Sequence, residues 1–408
     1  MAEVTGYGLV VGLVALAVFV AVLSNRLSEW IRVPAPALFL IAAAALAYAV
    51  PALNRLSVVT VQRVVTVALI IILFDGGMSL GWRRFRAAAV PIALLGVVGT
   101  VVTSAAIALV ARTIVGSWSA AILLGAALAP TDPAVVFSVL GRREIAGRSG
   151  AILEGESGAN DPVGIAIMIG LLAATGVGRG LLEFTVEMVV GAAVGLLGGW
   201  ALLTFIRRVA LPSVGLYPVR LLAGAGLLYG LATVVHGSGF LAVFIAGILL
   251  GDADGPFQGE SHLFLSALAH LGEIVAFVML GLTVTVRSLP YGHAWQIGLL
   301  LAVVLTLVIR PLVVGGLLLP ARLRTGEKLF IAWCGLKGAV PILLGTFLLT
   351  AGVADANRLY LVIVVVVTFS VIVQGGLVPA VARWCRVPMW VRGPGYSPDD
   401  TGSDAEEQ

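Results

Sequence analysis

Long apolar runs, broken by short polar punctuation, fill almost the whole chain. About thirteen of them approach the length of a bilayer-crossing helix. They fall at roughly 6–24, 34–51, 58–80, 87–112, 118–140, 149–175, 183–206, 219–236, 238–252, 265–285, 293–319, 328–350 and 358–382. The eighth and ninth are separated only by His236-Gly237-Ser238-Gly239. No run alternates with the period of a barrel strand, and the runs are too long and continuous for one. The pattern predicts an all-α polytopic membrane protein.

Composition agrees. Of 408 residues, 60% are hydrophobic and only 11% charged, well below a soluble domain. The 50 glycines suit close helix packing in lipid. A net charge of +4 does not indicate nucleic acid. Cys334 and Cys385 lack any metal or redox spacing, and no disulfide is expected. No Lys or Arg precedes the first apolar run, so a cleaved signal is not expected and the first span should stay. Residues 384–408 are expected to form a disordered tail, polar and acidic after Trp390. No soluble regulatory domain is expected within the chain.

Loop charge orients the spans. Seventeen basic residues follow odd-numbered spans or lie in the tail, among them Arg83, Arg84, Arg86, Arg142, Arg143 and Arg148. Five follow even-numbered spans: Arg55, Arg112, Arg179, Arg287 and Arg358. The positive-inside rule then puts the N-terminus outside and the C-terminus in the cytoplasm of a cell (inner or plasma) membrane. Arg63, Arg310 and Lys337 lie within spans.

Two spans carry interruptions. The fifth contains Ala129-Pro130-Thr131-Asp132-Pro133, whose prolines remove two backbone donors. The twelfth contains Gly335-Leu336-Lys337-Gly338-Ala339-Val340-Pro341. The two run in opposite directions in the two halves of the chain, which suggests inverted repeats meeting at a midplane site. Asp132 would complement half-helix N-termini and Lys337 the C-termini.

The sixth span holds Glu154, Glu156, Asn160 and Asp161 within ILEGESGANDPVG. Carboxylates at such depth are retained where they pair, titrate or hold an ion. At a rise of about 1.5 Å per residue, Asp161, Asp132 and Lys337 all fall in the middle third of the bilayer. The reading is that Asp161 carries either a proton or an alkali cation. Asp132, the Ser157 hydroxyl and the Thr131 carbonyl supply further oxygens, and Asn160 orients Asp161 or Asp132. Ser157 also reads as a helix-packing residue. Asp75, in LFDGGMSL, reads as lining a cytoplasmic entrance or capping its helix. Glu156 is expected to pair with Arg310, since an unpaired buried charge is costly. Glu154 reads as a solvated or cavity-lining group. Glu273, Arg63 and the four histidines receive no role.

The ordered set LFDGG, TDP, ESGANDP, RPL and GLKGAVPI resembles the monovalent cation:proton antiporters. The resemblance is closest to NhaP-type sodium/proton exchangers and cell-volume-regulation potassium/proton antiporters, and runs from the third span to the thirteenth. It implies an NhaA-like antiporter fold with two broken crossing helices. It implies that Asp161 is the ion and proton carrier, with Thr131, Asp132, Ser157 and Asp75 nearby, and a Glu156–Arg310 bridge. It also implies a homodimer. Residues 1–86 and 177–291 would form the interface domain, and 87–176 and 292–383 a six-helix bundle that moves. Lys337 stands where Arg is frequent, and Asp75 where Glu is frequent.

The expected activity is electroneutral exchange of one Na⁺ or K⁺ for one H⁺ by alternating access, both competing for Asp161. The partners are then the cation, the proton, membrane lipids and a second copy. No cofactor, nucleic acid or enzymatic reaction is expected. The alternative is a sodium-coupled organic-anion symporter of similar inverted-repeat fold. An intramembrane aspartyl protease would need Gly-x-Gly-Asp, which is absent.

Overall fold

The computed structural model describes residues 34–50, 56–140, 143–145, 147–173, 177–253 and 255–391, together with the single position Phe19. The expected first span, apart from that position, and the tail after Val391 lie outside the described residues. So do Arg26, Arg32, Arg55, Arg142 and Arg392 of the charge count.

The described chain is helical almost throughout. In order run α1 (Ala35–Ala49), α2 (Val58–Ala93), α3 (Thr100–Val115), α4 (Trp118–Leu128), α5 (Pro133–Leu140) and α6 (Arg148–Ala173). They are followed by α7 (Val177–Arg208), α8 (Leu216–Val234), α9 (Gly239–Gly251) and α10 (Gln258–Leu282). The last group is α11 (Ala294–Val304), α12 (Arg310–Leu317), α13 (Thr325–Trp333), α14 (Ala339–Thr350), α15 (Ala356–Phe369) and α16 (Gly376–Trp384). Wider π-helical turns at Leu94–Gly99, Leu305–Ile309 and Ser370–Gly375 join α2 to α3, α11 to α12 and α15 to α16.

Each expected span from the second onward falls on helix, but not on thirteen full-length crossings. Six continuous helical stretches among the described residues are long and apolar enough to cross a bilayer. The bent pair α4–α5 makes a seventh if its halves, 43° apart, form one span. The shortfall has physical causes. Helices α1, α9 and α14 are only 15, 13 and 12 residues long. Helix α6 carries Arg148, Glu154, Glu156 and Asp161 along its length. Two expected spans, 58–80 and 87–112, join into one stretch that kinks at Gly81 (φ 63°) rather than parting at a loop.

Two short strands also depart from expectation. Arg143–Ile145 pairs antiparallel with Met389–Val391. The tail expected to be unstructured from residue 384 therefore opens with ordered backbone. Met389-Trp390-Val391 is apolar and strand-prone, and pairing satisfies its peptide groups.

Helix α2 is the spine of one half, packed against α9, α10 and α6. In lipid no hydrophobic effect draws helices together, so close backbone approach must do more. Gly247 and Gly251 of α9 supply it. A Cβ at Gly247 would sit 2.5 Å from the Phe74 carbonyl oxygen, and one at Gly251 would strike the Met78 carbonyl. Around this seam lies a compact core of Phe74, Met78, Val243, Ala246, Leu250 and Leu265. In the other half α3 packs on α4, and α15 on α11 and α14.

Ends expected on one side of the membrane meet one another. Ser149, after the fifth span, donates to Glu327, after the eleventh, at 2.6 Å. The Arg83 N–H, after the third, donates to the Asp252 carboxylate at the end of the ninth. At the opposite end the Arg287 guanidinium stacks on the Tyr48 ring.

Replacing Gly247 by leucine should cost about 1–3 kcal/mol through overpacking. It should lower the thermal-unfolding midpoint in detergent. Gly226 on α8 has open space where a Cβ would go. Gly226→Ala should leave that midpoint nearly unchanged.

Candidate functional site

The two interrupted helices cross at their interruptions. Helix α4 ends at Leu128 and α5 starts at Pro133; α13 ends at Trp333 and α14 starts at Ala339. Between them the chain is non-helical, and its peptide groups need partners elsewhere. Each break supplies them to the other. The Asp132 N–H donates to the Leu336 carbonyl at 2.8 Å. The Lys337 ammonium donates to the Ala129 and Pro130 carbonyls at 2.9 and 3.0 Å, the acceptor end of α4. The Asp132 carboxylate accepts from the Ala134 N–H at 2.9 Å, and the Val135 and Ala339 N–H groups also bond to it. It thus caps the N-termini of α5 and α14 together. Each charge meets the helix end that complements it. The approach is close enough that a Cβ at position 338 would collide with the Asp132 side chain.

Helix α6 lies against this crossing and presents Glu156, Ser157, Asn160 and Asp161, all buried. The Ser157 hydroxyl donates to the Thr131 carbonyl at 2.5 Å. That carbonyl, released by the break, is therefore already engaged, and the Ser157 oxygen keeps its lone pairs. Asn160 does not hold a carboxylate, contrary to expectation. Its Oδ1 accepts the Thr131 N–H at 3.2 Å and its Nδ2 donates to the Thr131 hydroxyl at 2.7 Å. An amide offers both an acceptor oxygen and a donor nitrogen, and Thr131 at the opened ladder presents the matching pair.

Asp161 is treated differently by its surroundings. It is 9% exposed, and no described protein group hydrogen-bonds its carboxylate. Asp132 and Lys337 are its charged neighbours. A buried acid with an uncommitted oxygen pair, next to Ser157, Thr131 and a second acid, can hold a proton or a small cation.

Residues 14–384 match the family profile described as sodium/hydrogen exchanger, transmembrane. The chain belongs to that family. It is a multi-pass membrane protein. It is similar to the K⁺/H⁺ antiporter NhaP of Alkalimonas amylolytica, at 38% identity across 79% of this chain and 57% of that relative. It is similar to the K⁺/H⁺ antiporter NhaP2 of Shewanella sp. strain MR-4, at 34% identity across 81% of this chain and 58% of that relative. The chain thus spans less than three-fifths of the length of these curated relatives. Its fold is that of the sodium proton antiporter MjNhaP1 of Methanocaldococcus jannaschii. The TM-score is 0.76 at 23% identity, covering 91% of this chain and 96% of that one.

Other expected residues of this exchanger-family chain are placed as follows. Glu156 meets Arg310 at 2.5 Å with both side chains almost fully buried, tying α6 to α12. Asp75 is inside α2 rather than at a cap. It stands apart from the hydrogen-bonded cluster, with His270 of α10 as its charged neighbour and Oδ1 buried without a partner. Glu154 bonds to Arg84 at 3.1 Å, so it is not simply solvated. Arg63 is exposed on α2. Glu273, left without a role, lies on α10 within electrostatic range of Asp132, its Oε1 buried and unbonded.

Sequence reasoning missed the support for the second break. The Lys337 N–H donates to Ser370 at 3.0 Å, and Ser370 donates to Gln374 at 2.8 Å. Gln374 donates to the Trp333 carbonyl at 2.5 Å, and Thr306 donates to Gln374 at 3.3 Å. All three polar residues sit on π-helical turns, which commonly mark functional positions. Their signal was a buried Ser and Gln four apart in an otherwise apolar span.

Glu156→Gln should strand the Arg310 charge and cost about 3–5 kcal/mol of stability. Glu156→Leu with Arg310→Met should be more stable than either single variant, as read from unfolding in detergent.

Proposed function

We propose that the chain is a monovalent cation/proton antiporter, exchanging one Na⁺ or K⁺ for one H⁺ without net charge movement. The observation that carries this reading is the Asp161 carboxylate. It is buried, free of hydrogen bonds to described residues, and set where two broken helices cross. The family of the chain and the names of its relatives point the same way.

The mechanism follows from desolvation. Protonated, Asp161 is neutral. Deprotonated, it holds one cation with oxygens from Ser157, Thr131 and Asp132, and the filled site is again neutral in the same sense. A bare carboxylate moved through a low-dielectric barrier loses its solvation without compensation. Only the two filled forms cross, which couples the two flows. Asn160 holds Thr131 in place, Lys337 neutralises the carbonyl end of α4, and Glu156–Arg310 keeps α6 and α12 together. Asp75 stands on the approach to the site.

Residues 87–176 and 292–383 form the moving bundle on this reading, and 1–86 with 177–291 the interface body of a homodimer in the plasma membrane, its C-terminus cytoplasmic. A sodium-coupled organic-anion symporter is less favoured. The polar groups at the crossing are a carboxylate, a hydroxyl and carbonyls, with Lys337 spent on α4.

Asp161→Asn should reduce Na⁺- or K⁺-driven proton movement in proteoliposomes to the level of protein-free vesicles, read with an internal pH dye. Continued exchange in that variant would refute the carrier role.

A further inference from the structure

Helices α2 and α14 touch at a second polar point, about two to three turns along α14 from the break. The Gln62 amide Nε2 lies 3.1 Å from the Thr346 hydroxyl and 3.3 Å from the Thr350 hydroxyl. Both hydroxyl protons are already spent within α14. Thr346 donates to the Leu343 carbonyl at 2.6 Å, and Thr350 to the Phe347 carbonyl at 3.1 Å. Each threonine therefore offers Gln62 only a lone pair. A primary amide carries two donors on one nitrogen, so one glutamine can serve both. The match is one of donor count as well as of position.

A similar arrangement joins α10 to α15. Thr283, at the end of α10, donates to the Leu280 carbonyl at 2.6 Å. The Tyr360 hydroxyl, 2.5 Å from Thr283, must then be the donor between them. Tyr360 is buried at the start of α15 and packs on Gly345 of α14. Two donor–acceptor ties thus join α2 and α10 to α14 and α15 at one end of the protein. Thr346 and Thr350 lie seven and eleven residues past the start of α14, or about 10 and 16 Å along it from the break. Gln62 stands about 28 Å along α2 from the kink at Gly81, at the end opposite Arg83 and Arg84.

We propose that Gln62 is a donor latch, which with Tyr360 seals the bundle against the interface body on the side of the site away from the basic loops. Resting on the antiport reading, the latch holds one of the two alternating states and opens once per cycle. Its hydrogen bonds are neutral and half-exposed, so each contributes modestly and can be made and broken repeatedly. Gln62→Glu would set carboxylate acceptors against two committed lone pairs, and should break the latch while nearly conserving volume.

The test uses the full chain in proteoliposomes with Cys334→Ala and Cys385→Ala, carrying Gln62→Cys and Thr350→Cys together. A short bis-methanethiosulfonate reagent should join the two thiols and slow cation-driven proton movement at least about tenfold, with recovery on reduction. Each single-cysteine variant treated alike should keep its exchange. In a Thr350→Cys background, Gln62→Glu should raise the rate of maleimide labelling severalfold. Thiols that do not join, a joined pair that exchanges normally, or labelling indifferent to Gln62→Glu would each overturn the latch. The unmodified chain assayed in parallel separates the two readings. No exchange there is a failure of the antiport reading, whereas normal exchange with an ineffective cross-link is a failure of the latch alone.

Discussion

Everything at the centre of this protein depends on two opened helices closing each other's backbone. An interrupted helix in a bilayer leaves N–H and C=O groups with no water to take them, and each costs several kcal/mol if left alone. Here the costs cancel pairwise. Asp132 sits on the N-termini of α5 and α14 together, Lys337 on the last carbonyls of α4, and a backbone hydrogen bond links residues 132 and 336. Neither break is stable without the other. A side chain at position 338 would push them apart, so the glycine is part of the same solution. The members of the crossing satisfy one another, and Asp161 stands beside it uncommitted.

A second layer carries the first. Ser370, Gln374 and Thr306 occupy π-helical turns where one extra residue per turn widens the backbone and turns polar groups inward. They receive the Lys337 N–H and the Trp333 carbonyl, the groups that Asp132 and Leu336 do not reach. On the other side Asn160 clasps Thr131 at its N–H and its hydroxyl. Glu156 and Arg310 anchor the helix that carries Asn160. The cluster is therefore held from α6, α12 and the α15–α16 turn at once.

Much of this was legible because a bilayer simplifies the reading. Charges inside apolar runs are few, and prolines three apart with an acid between them have few explanations. Asp132, Lys337, Asp161 and the Glu156–Arg310 contact were accordingly visible as depth-matched charges. Neutral partners were less so. Asn160 was read as a carboxylate's companion because carboxylates were conspicuous, whereas the unpaired Thr131 N–H that claims it appears only once the break has a shape. Ser370 and Gln374 were hidden because a serine in an apolar span is ordinary, and the π turn that makes them matter has no period of its own. Helix lengths failed for a related reason. Hydropathy measures where chain is apolar, not where it is helical, so α9 and α14 read as full spans despite being 13 and 12 residues long. The Met389–Val391 strand was concealed by the polar sequence that follows it.

The charge inventory around the crossing bears on stoichiometry. Glu156 is matched by Arg310 in direct contact, while Asp132 and Lys337 each sit on complementary helix ends. Asp161 has Lys337 and Asp132 as charged neighbours but no hydrogen bond or helix end of its own among the described residues. A body carrying these five groups has a surplus of one negative charge when Asp161 is bare. One proton or one monovalent cation removes it. The penalty for burying an unpaired charge is several kcal/mol, so the bare form is rarely populated at any barrier between the two sides. On the proposed antiport reading, coupling comes from this penalty rather than from a group that inspects the site. On that reading it rests on a crossing in which Asp132, Lys337, Glu156 and Arg310 are committed to partners or helix ends and Asp161 is not.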